Sequence, residues 1–400
     1  LARELPARAL LWGVPVGLCA LLAADGARAG FLARAYAHSR ALPARRRGRI
    51  VVAGAALVGI AAALLLFGRR SEAAAAEPPR PEPRPGQVVV VAADGLGRVL
   101  ASDAVPPALA ALAAKAGSGW WTARGASPPE LWTDLATGEP SSRHGVRALE
   151  RVRPRGSRLS VRPPFGTRWY LRGVGPAAGL VASAPVSSED RRRLAFWEVA
   201  ASGGLPTLAV GWWASAGWPG AAVVGNEELL SGADSGLEVD RRARAMFEGR
   251  RNAGQRIQTV YLPGLDILRD DPSGRGRALA ELAQFLESEE VRVASGETLV
   301  VLAADSHAAS GAPQRMLVFD GVASRTLRIT PEDVAPSILA RAGVPVAKDL
   351  PGRPVAALFR AGSLDAGTVA SYGARVAPAP ARRSSDREYL EKLKSLGYLN

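Results

Sequence analysis

The sequence predicts a doubly wound α/β domain on a mainly parallel sheet, preceded by one or two membrane-spanning helices. Three observations lead there. Apolar runs of strand length alternate with amphipathic stretches of helix length from residue 87 onward. Those runs are apolar almost throughout rather than at alternate positions, as expected of strands covered on both faces. Ahead of them stands a stretch without charge, Ile50 to Gly68, whose 19 residues are long enough to cross a hydrocarbon core of about 30 Å.

The N-terminal region, residues 1–70, is read as membrane-associated. Besides 50–68, residues 9–24 form a shorter apolar run containing Pro15, a second span or a truncated one. Between them, residues 25–49 hold seven arginines against Asp25. Such a loop stays cytoplasmic, so the chain after 68 is expected on the far side, extracytoplasmic. The chain opens on Leu1 rather than Met, so residues upstream are expected. The formal net charge is +14, but residues 1–86 hold 13 Arg against 5 acids and account for most of it. The basic excess thus flanks apolar segments and comes with no nucleic-acid-binding motif; the expected partner is a membrane, not a nucleic acid. A single cysteine, Cys19, excludes an intrachain disulfide and a cysteine zinc cluster.

Residues 71–86 are a proline-rich linker, a semi-rigid spacer. The domain is placed at 87–360. Strands are expected at 87–93, 206–212, 257–264, 297–304 and 315–320, and helices near 106–116, 131–137, 190–203, 236–252, 276–290 and 331–342. Thr330-Pro331-Glu332-Asp333 reads as a helix start. Residues 361–400 form a tail with a short helix near 386–396. Its Tyr389, Leu390, Leu393 and Leu396 recur at helical spacing and are expected to pack on the domain or on a protein partner. The tryptophans at 120, 121, 212, 213 and 218 read as core or cleft wall ahead of a stacking platform, and Arg191–Arg193 as a solvated helix face.

Three expected strands end on an acid: Asp94, Asp266 and Asp305. Acids at the carboxyl ends of parallel strands converge at one edge of the sheet, where ligands bind in this architecture. About 30 residues after Asp94, the segment S-P-P-E-L-W-T-D-L-A-T-G puts Ser127 ahead of a double proline at the start of a helix. An acid and a hydroxyl placed this way can share a metal ion that activates the hydroxyl for attack on a phosphoryl or sulfuryl ester.

These motifs, with S-S-R-H-G-V, V-Y-L-P-G-L-D, L-V-V-L-A-A-D-S-H and D-V-A-P-S-I-L-A-R-A-G-V-P, resemble the alkaline phosphatase superfamily, in its type I phosphodiesterase/nucleotide pyrophosphatase-like branch. The resemblance covers about residues 87–360 and extends to the closing E-Y-L-E-K-L-K-S-L-G-Y-L. It implies an extracytoplasmic hydrolase of phosphate esters with two divalent cations, usually zinc. Asp94, Asp266, Asp305 and His307 match metal ligands, and Ser127 matches the nucleophile ahead of Thr122 and Thr133. The departures are as informative. Asp270 stands where a histidine is expected after Asp266, His307 is displaced by one from the Asp-His step, and Ser310 to Arg315 supplies no late histidine. His144 reads as structural. The remaining set, Asp94, Asp266, Asp270, Asp305 and Asp271, is oxygen-rich and suits Mg, Mn or Ca better than Zn, or no metal at all. Two readings stay open: a membrane-anchored metal-dependent phosphoesterase, and an inactive family member acting as a binding or scaffold module.

Overall fold

The computed structural model describes residues 79–82, 86–154, 181–293, 296–321, 324–375 and 386–398. Both predicted spans, 9–24 and 50–68, lie outside the described residues. Among the described residues no helix is long and apolar enough to cross a membrane. The chain divides into two compact units, residues 1–73 with 150–184, and residues 74–149 with 185–400.

In chain order the strands are β1 (Val88–Asp94), β2 (Gly117–Thr122), β3 (Glu150–Pro154), β4 (Val181–Pro185), β5 (Thr207–Val210), β6 (Ala221–Val224), β7 (Ile257–Leu262), β8 (Thr298–Ala304), β9 (Pro313–Phe319), β10 (Thr326–Arg328), and the short β11 (Val346–Ala347) and β12 (Thr368–Val369), which pair with each other. β3 and β4 pair with each other and are what is described of the smaller unit. The other eight form one sheet in the larger unit, in the order β10-β2-β9-β8-β1-β7-β5-β6. β9 is antiparallel to both neighbours, and the remaining pairs are parallel, so β9 alone runs against the rest.

The valine run explains why β1 is central. Val88, Val90 and Ala92 enter one core with Trp132, Leu135, Trp197 and Ile338. Val89, Val91 and Ala93 enter a second core with Leu109, Phe247, Leu282 and Leu286. Alternate residues of one strand therefore feed opposite faces, and helices cover both. Pro128–Thr137, Phe196–Ser202 and Val334–Arg341 lie on the first face; Pro107–Lys115, Gly236–Arg250 and Pro272–Val293 lie on the second. The four valines are at most 1% exposed, which makes their burial worth about 6 kcal/mol or more.

The first face is reached by a helix that starts earlier than its apolar pattern suggests. Pro128 and Pro129 occupy its first turn, where no intrahelical N–H is needed, with Ser127 as the extended residue before it. The helix expected at 190–203 instead begins at Phe196. Arg191 is not on a solvated face: it is 2% exposed and pairs with Glu198. That pairing demands an irregular approach, a short 3₁₀ turn at Ser188–Asp190 followed by extended chain. β2 and β6 were not among the expected strands. In β2, Gly119 makes room for Ile329, whose Cδ1 would be 2.6 Å from a Cβ there.

The end of the linker is docked. Pro79 is buried, the amide of Glu82 donates to Gly343 O at 2.8 Å, and a Cβ on Gly203 would lie 2.7 Å from Pro79 O. The tail helix, Asp386–Ser395, packs on the first face through Tyr389, Leu393 and Leu396.

Candidate metal centre

β8, β1 and β7 are adjacent, and their carboxyl ends carry the three acids. Asp94 is the last residue of β1 and pairs in register with Ala304, the last of β8, so Asp305 emerges beside it. Asp266 follows β7 through Pro263 in the short helix Gly264–Ile267. The turn after β1 must pass that helix closely. Gly95 makes this possible with φ +90°, since a Cβ there would sit 3.0 Å from the backbone N of Asp266.

Asp266, Asp305 and His307 come together, with one ligand atom from each within 4.8 Å of the others. Asp94 adjoins them but is enclosed by donors. Its Oδ1 accepts from the Ser306 amide at 3.0 Å. Its Oδ2 accepts from Trp132 Nε1 at 2.7 Å, Ser306 Oγ at 2.9 Å and Tyr261 Oη at 3.0 Å. Tyr261 in turn accepts from Trp213 Nε1 at 3.0 Å. Burial, with Asp266 nearby, pushes the Asp94 carboxyl up to about 7. Burial, with Asp94 nearby, also holds the Tyr261 hydroxyl well above the usual phenol range.

Asp305 is held as well. Arg98 Nε lies 2.9 Å from its Oδ2, and the His307 amide donates to its Oδ1 at 2.9 Å. The backbone amide of Asp305 donates to the side chain of Gln314. The remaining acid, Asp266, meets His307 Nδ1 at 2.7 Å through Oδ1, and that contact raises the imidazole above its ordinary value. Its Oδ2 is buried and has no hydrogen-bond partner.

A pair of divalent ions does not fit this donor set. Three donors already converge on Asp94 Oδ2 and one on Oδ1, so a single lone pair of Oδ1 is what this carboxylate has left for a cation. Arg98 supplies positive charge at Asp305. Asp270 does not join the cluster: its carboxylate is 91% exposed and pairs with Arg269, because it lies beyond the short helix that turns Asp266 inward. Beyond that lone pair, the donors free for one cation are Asp266 Oδ2 with Asp305 and His307.

The candidate hydroxyls are spread out. Ser127 Oγ donates to Arg147 O at 2.9 Å. Thr133 Oγ1 is buried without a partner. Thr122 lines a cavity that reaches Asp305 and is also bounded by Trp121, Arg124, Asp134 and Gln314. Arg124 Nη1 there meets Glu332 at 2.8 Å, and burial pushes the Asp134 carboxyl up to about 8. His144 is fully buried. The Val146 amide donates to its Nδ1 at 3.1 Å, so Nε2 carries the proton shared with Asp134 at 2.6 Å. Trp121, Trp212 and Trp213 are buried.

Sequence reasoning missed the residues that close the site: Arg98, Trp132, Tyr261 and Ser306. Strand register was the available signal for one of them. Tyr261 pairs with Ala92, two residues before Asp94, so its side chain shares the face of that acid.

No protein-family model matches the chain, and no curated protein does. Among solved structures, it is similar to murine ectonucleotide pyrophosphatase/phosphodiesterase 5, solved as an inactive variant with AMP, at 15% identity and TM-score 0.36 over 55% of this chain and 57% of that one. It is similar to a Bacteroides thetaiotaomicron protein from a core locus for metabolism of multiple glycosaminoglycans, at 11% identity and TM-score 0.41 over 69% of this chain and 76% of that one. It is also similar to a Vibrio parahaemolyticus protein at 13% identity and TM-score 0.44, over 72% of this chain and 74% of that one. The chain spans little more than half the length of the murine protein, and the reading of its function rests on its own site. The Vibrio protein is one of the alkaline phosphatase superfamily.

Proposed function

We propose that this chain is a membrane-anchored, extracytoplasmic domain of alkaline-phosphatase-like ancestry whose metal centre has been replaced by protein–protein hydrogen bonds, and that it acts by binding rather than by hydrolysis. The observation that carries this reading is the enclosure of Asp94 by Ser306, Trp132 and Tyr261. A carboxylate that binds a metal must offer a lone pair to it, and on Oδ2 these donors take that place. Arg98 beside Asp305 does the same with a full positive charge. Of the expected ligands, Asp270 faces solvent. Membrane anchoring rests on residues 50–68 and on the arginines of 25–49. A phosphate ester remains the ligand class implied by the family resemblance.

One observation favours a second reading. Asp266 Oδ2 is buried and unpartnered, and an orphaned buried carboxylate oxygen calls for a cation or a donor. With Asp305 and His307 it would hold a single hard cation, and such a cation would polarise a phosphoryl oxygen. Ser127 would then need to leave Arg147 O to act as nucleophile.

The test is metal content and turnover on the full chain purified in detergent. The closed-centre reading expects less than one tightly held divalent ion per chain and no hydrolysis of bis-p-nitrophenyl phosphate with added Mg, Mn or Zn. Metal-dependent turnover abolished by Ser127→Ala would overturn it in favour of the single-cation enzyme. A reporter fused after Asn400 should be active outside the cytoplasm; cytoplasmic activity would refute the orientation.

A further inference from the structure

Away from the acid cluster, the corner built by Arg191, Glu198 and Arg375 carries an unbalanced charge. The three side chains are at most 1% exposed. Two guanidinium groups face one carboxylate, and arginine keeps its proton even when buried. Glu198 is shared between them: it accepts from Arg191 Nη1 and Nη2 and from Arg375 Nε. Among the described residues neither arginine pairs with a second acid. One positive charge therefore stays in excess inside the larger unit.

The excess falls on Arg375. Its Nε serves Glu198 and its Nη1 donates to Ser188 O at 2.7 Å, but Nη2 is buried without a hydrogen-bond partner. Arg191, in contrast, uses all three nitrogens, on Ala214 O, Arg193 O and Glu198. Burial, with Arg191 nearby, holds the Arg375 guanidinium below its ordinary value, as expected of a cation short of counter-charge. Ala214 follows the carboxyl end of β5, so the corner borders the sheet edge at which ligands bind in this architecture.

A water molecule would accept from Nη2 but bring no charge, and an uncompensated charge in the interior costs far more than an unmade hydrogen bond. Trp218 stands over the guanidinium, its ring centroid 5.2 Å from Cζ. The π face offsets part of the charge, yet it accepts nothing in the guanidinium plane. Trp218 is itself half-buried, and Gly217 before it has no atom within 4 Å of where a Cβ would lie, so the loop over Arg375 is not pinned on that side. What the corner lacks is a species with one negative charge that accepts without donating and is small enough for an enclosed place. A halide meets all three conditions.

We propose that Arg375 Nη2, beneath Trp218, is the site of one small monovalent anion, a halide, which completes the charge balance of the Arg191–Glu198–Arg375 corner. The ion stabilises the joint between the turn Ser188–Asp190, the helix Phe196–Ser202 and the chain at Arg375. The site stands whether or not a cation binds at the acid cluster.

The test is thermal unfolding of the full chain in detergent, with gluconate replaced by chloride at fixed ionic strength. Chloride at about ten times its dissociation constant should raise the melting temperature by about 2–4 °C, saturably, and bromide should substitute for it. Arg375→Met leaves Arg191 and Glu198 as a balanced pair, so its melting temperature should not respond to chloride. Glu198→Gln adds a second uncompensated charge and should respond more strongly than the unaltered chain. No chloride effect in the unaltered chain, an effect that survives Arg375→Met, or an equal or weaker effect in Glu198→Gln overturns the proposal. If either altered protein fails to fold, chloride NMR of the unaltered chain decides: excess line width that bromide removes supports the site, and its absence overturns it.

Discussion

Glu198→Gln should be among the most damaging single substitutions in the larger unit. The carboxylate is fully buried between two buried arginines. It accepts from Arg191 at 2.6 and 2.7 Å, from Arg375 Nε at 3.0 and 3.3 Å, and from the Ala195 amide at 3.1 Å. Burial works against its ionisation, yet Arg191 and Arg375 outweigh that and hold it below the usual carboxyl range. Glutamine keeps the shape and the Ala195 contact but leaves two guanidinium groups facing each other without a counter-charge. Removing one partner of a buried pair costs about 3–5 kcal/mol, and the retained amide oxygen places this change near about 3. Urea unfolding at pH 7 reads the loss. The gap should close on acidification, because a depressed carboxyl lends stability above its unfolded value and loses it as pH falls through the folded one. Adding Arg191→Met to Glu198→Gln should recover part of the loss, since it removes one orphaned charge. A cost below about 1 kcal/mol, or a gap independent of pH, would refute the idea that charge compensation holds this corner together.

Two further outcomes follow from buried groups near the site. Asp240, 4% exposed, accepts from the Gly264 amide, and burial pushes its carboxyl up to about 7. The folded state therefore keeps a proton that the unfolded chain releases, and stability falls by up to about 4 kcal/mol as pH rises from the ordinary carboxyl range to 7. Asp240→Asn should raise the melting temperature at pH 8 and leave it nearly unchanged at pH 4; equal shifts at both would discount the buried proton. Gly95→Ala should cost about 2 kcal/mol or more, because φ +90° is unfavourable for a side chain and the new Cβ meets the Asp266 backbone. Tolerance in thermal unfolding would mean that the turn relaxes freely.

The sheet was readable because its central strands are uniform. V-V-V-V-A-A admits few alternatives, and both faces of β1 proved to be covered. Convergence of Asp94, Asp266 and Asp305 followed from strand ends alone. β2 escaped notice because Gly117 and Gly119 weaken its pattern, and their role depends on the bulk of Ile329 and Leu358 above them. Arg191 was misplaced because a charge run looks solvated until its partner, Glu198, is brought against it. The missing histidines were legible, but what took their place was not. Arg98, Trp132 and Tyr261 reach the acids from three separate segments. Such contacts are set by packing rather than by local pattern.

The docked end of the linker sets a reach. Ten residues separate Gly68 from Pro79, the first residue seen seated on the domain. Even fully extended, at about 3.3–3.6 Å per residue, such a leash reaches no more than roughly 35 Å. If 50–68 spans the bilayer, the larger unit patrols only a thin layer above it. Encounters then take place by sliding in two dimensions, at the high local concentration that short tethers impose. A ligand free in the bulk gains nothing from this arrangement. One held in the same bilayer, or tethered to it, meets the domain again and again.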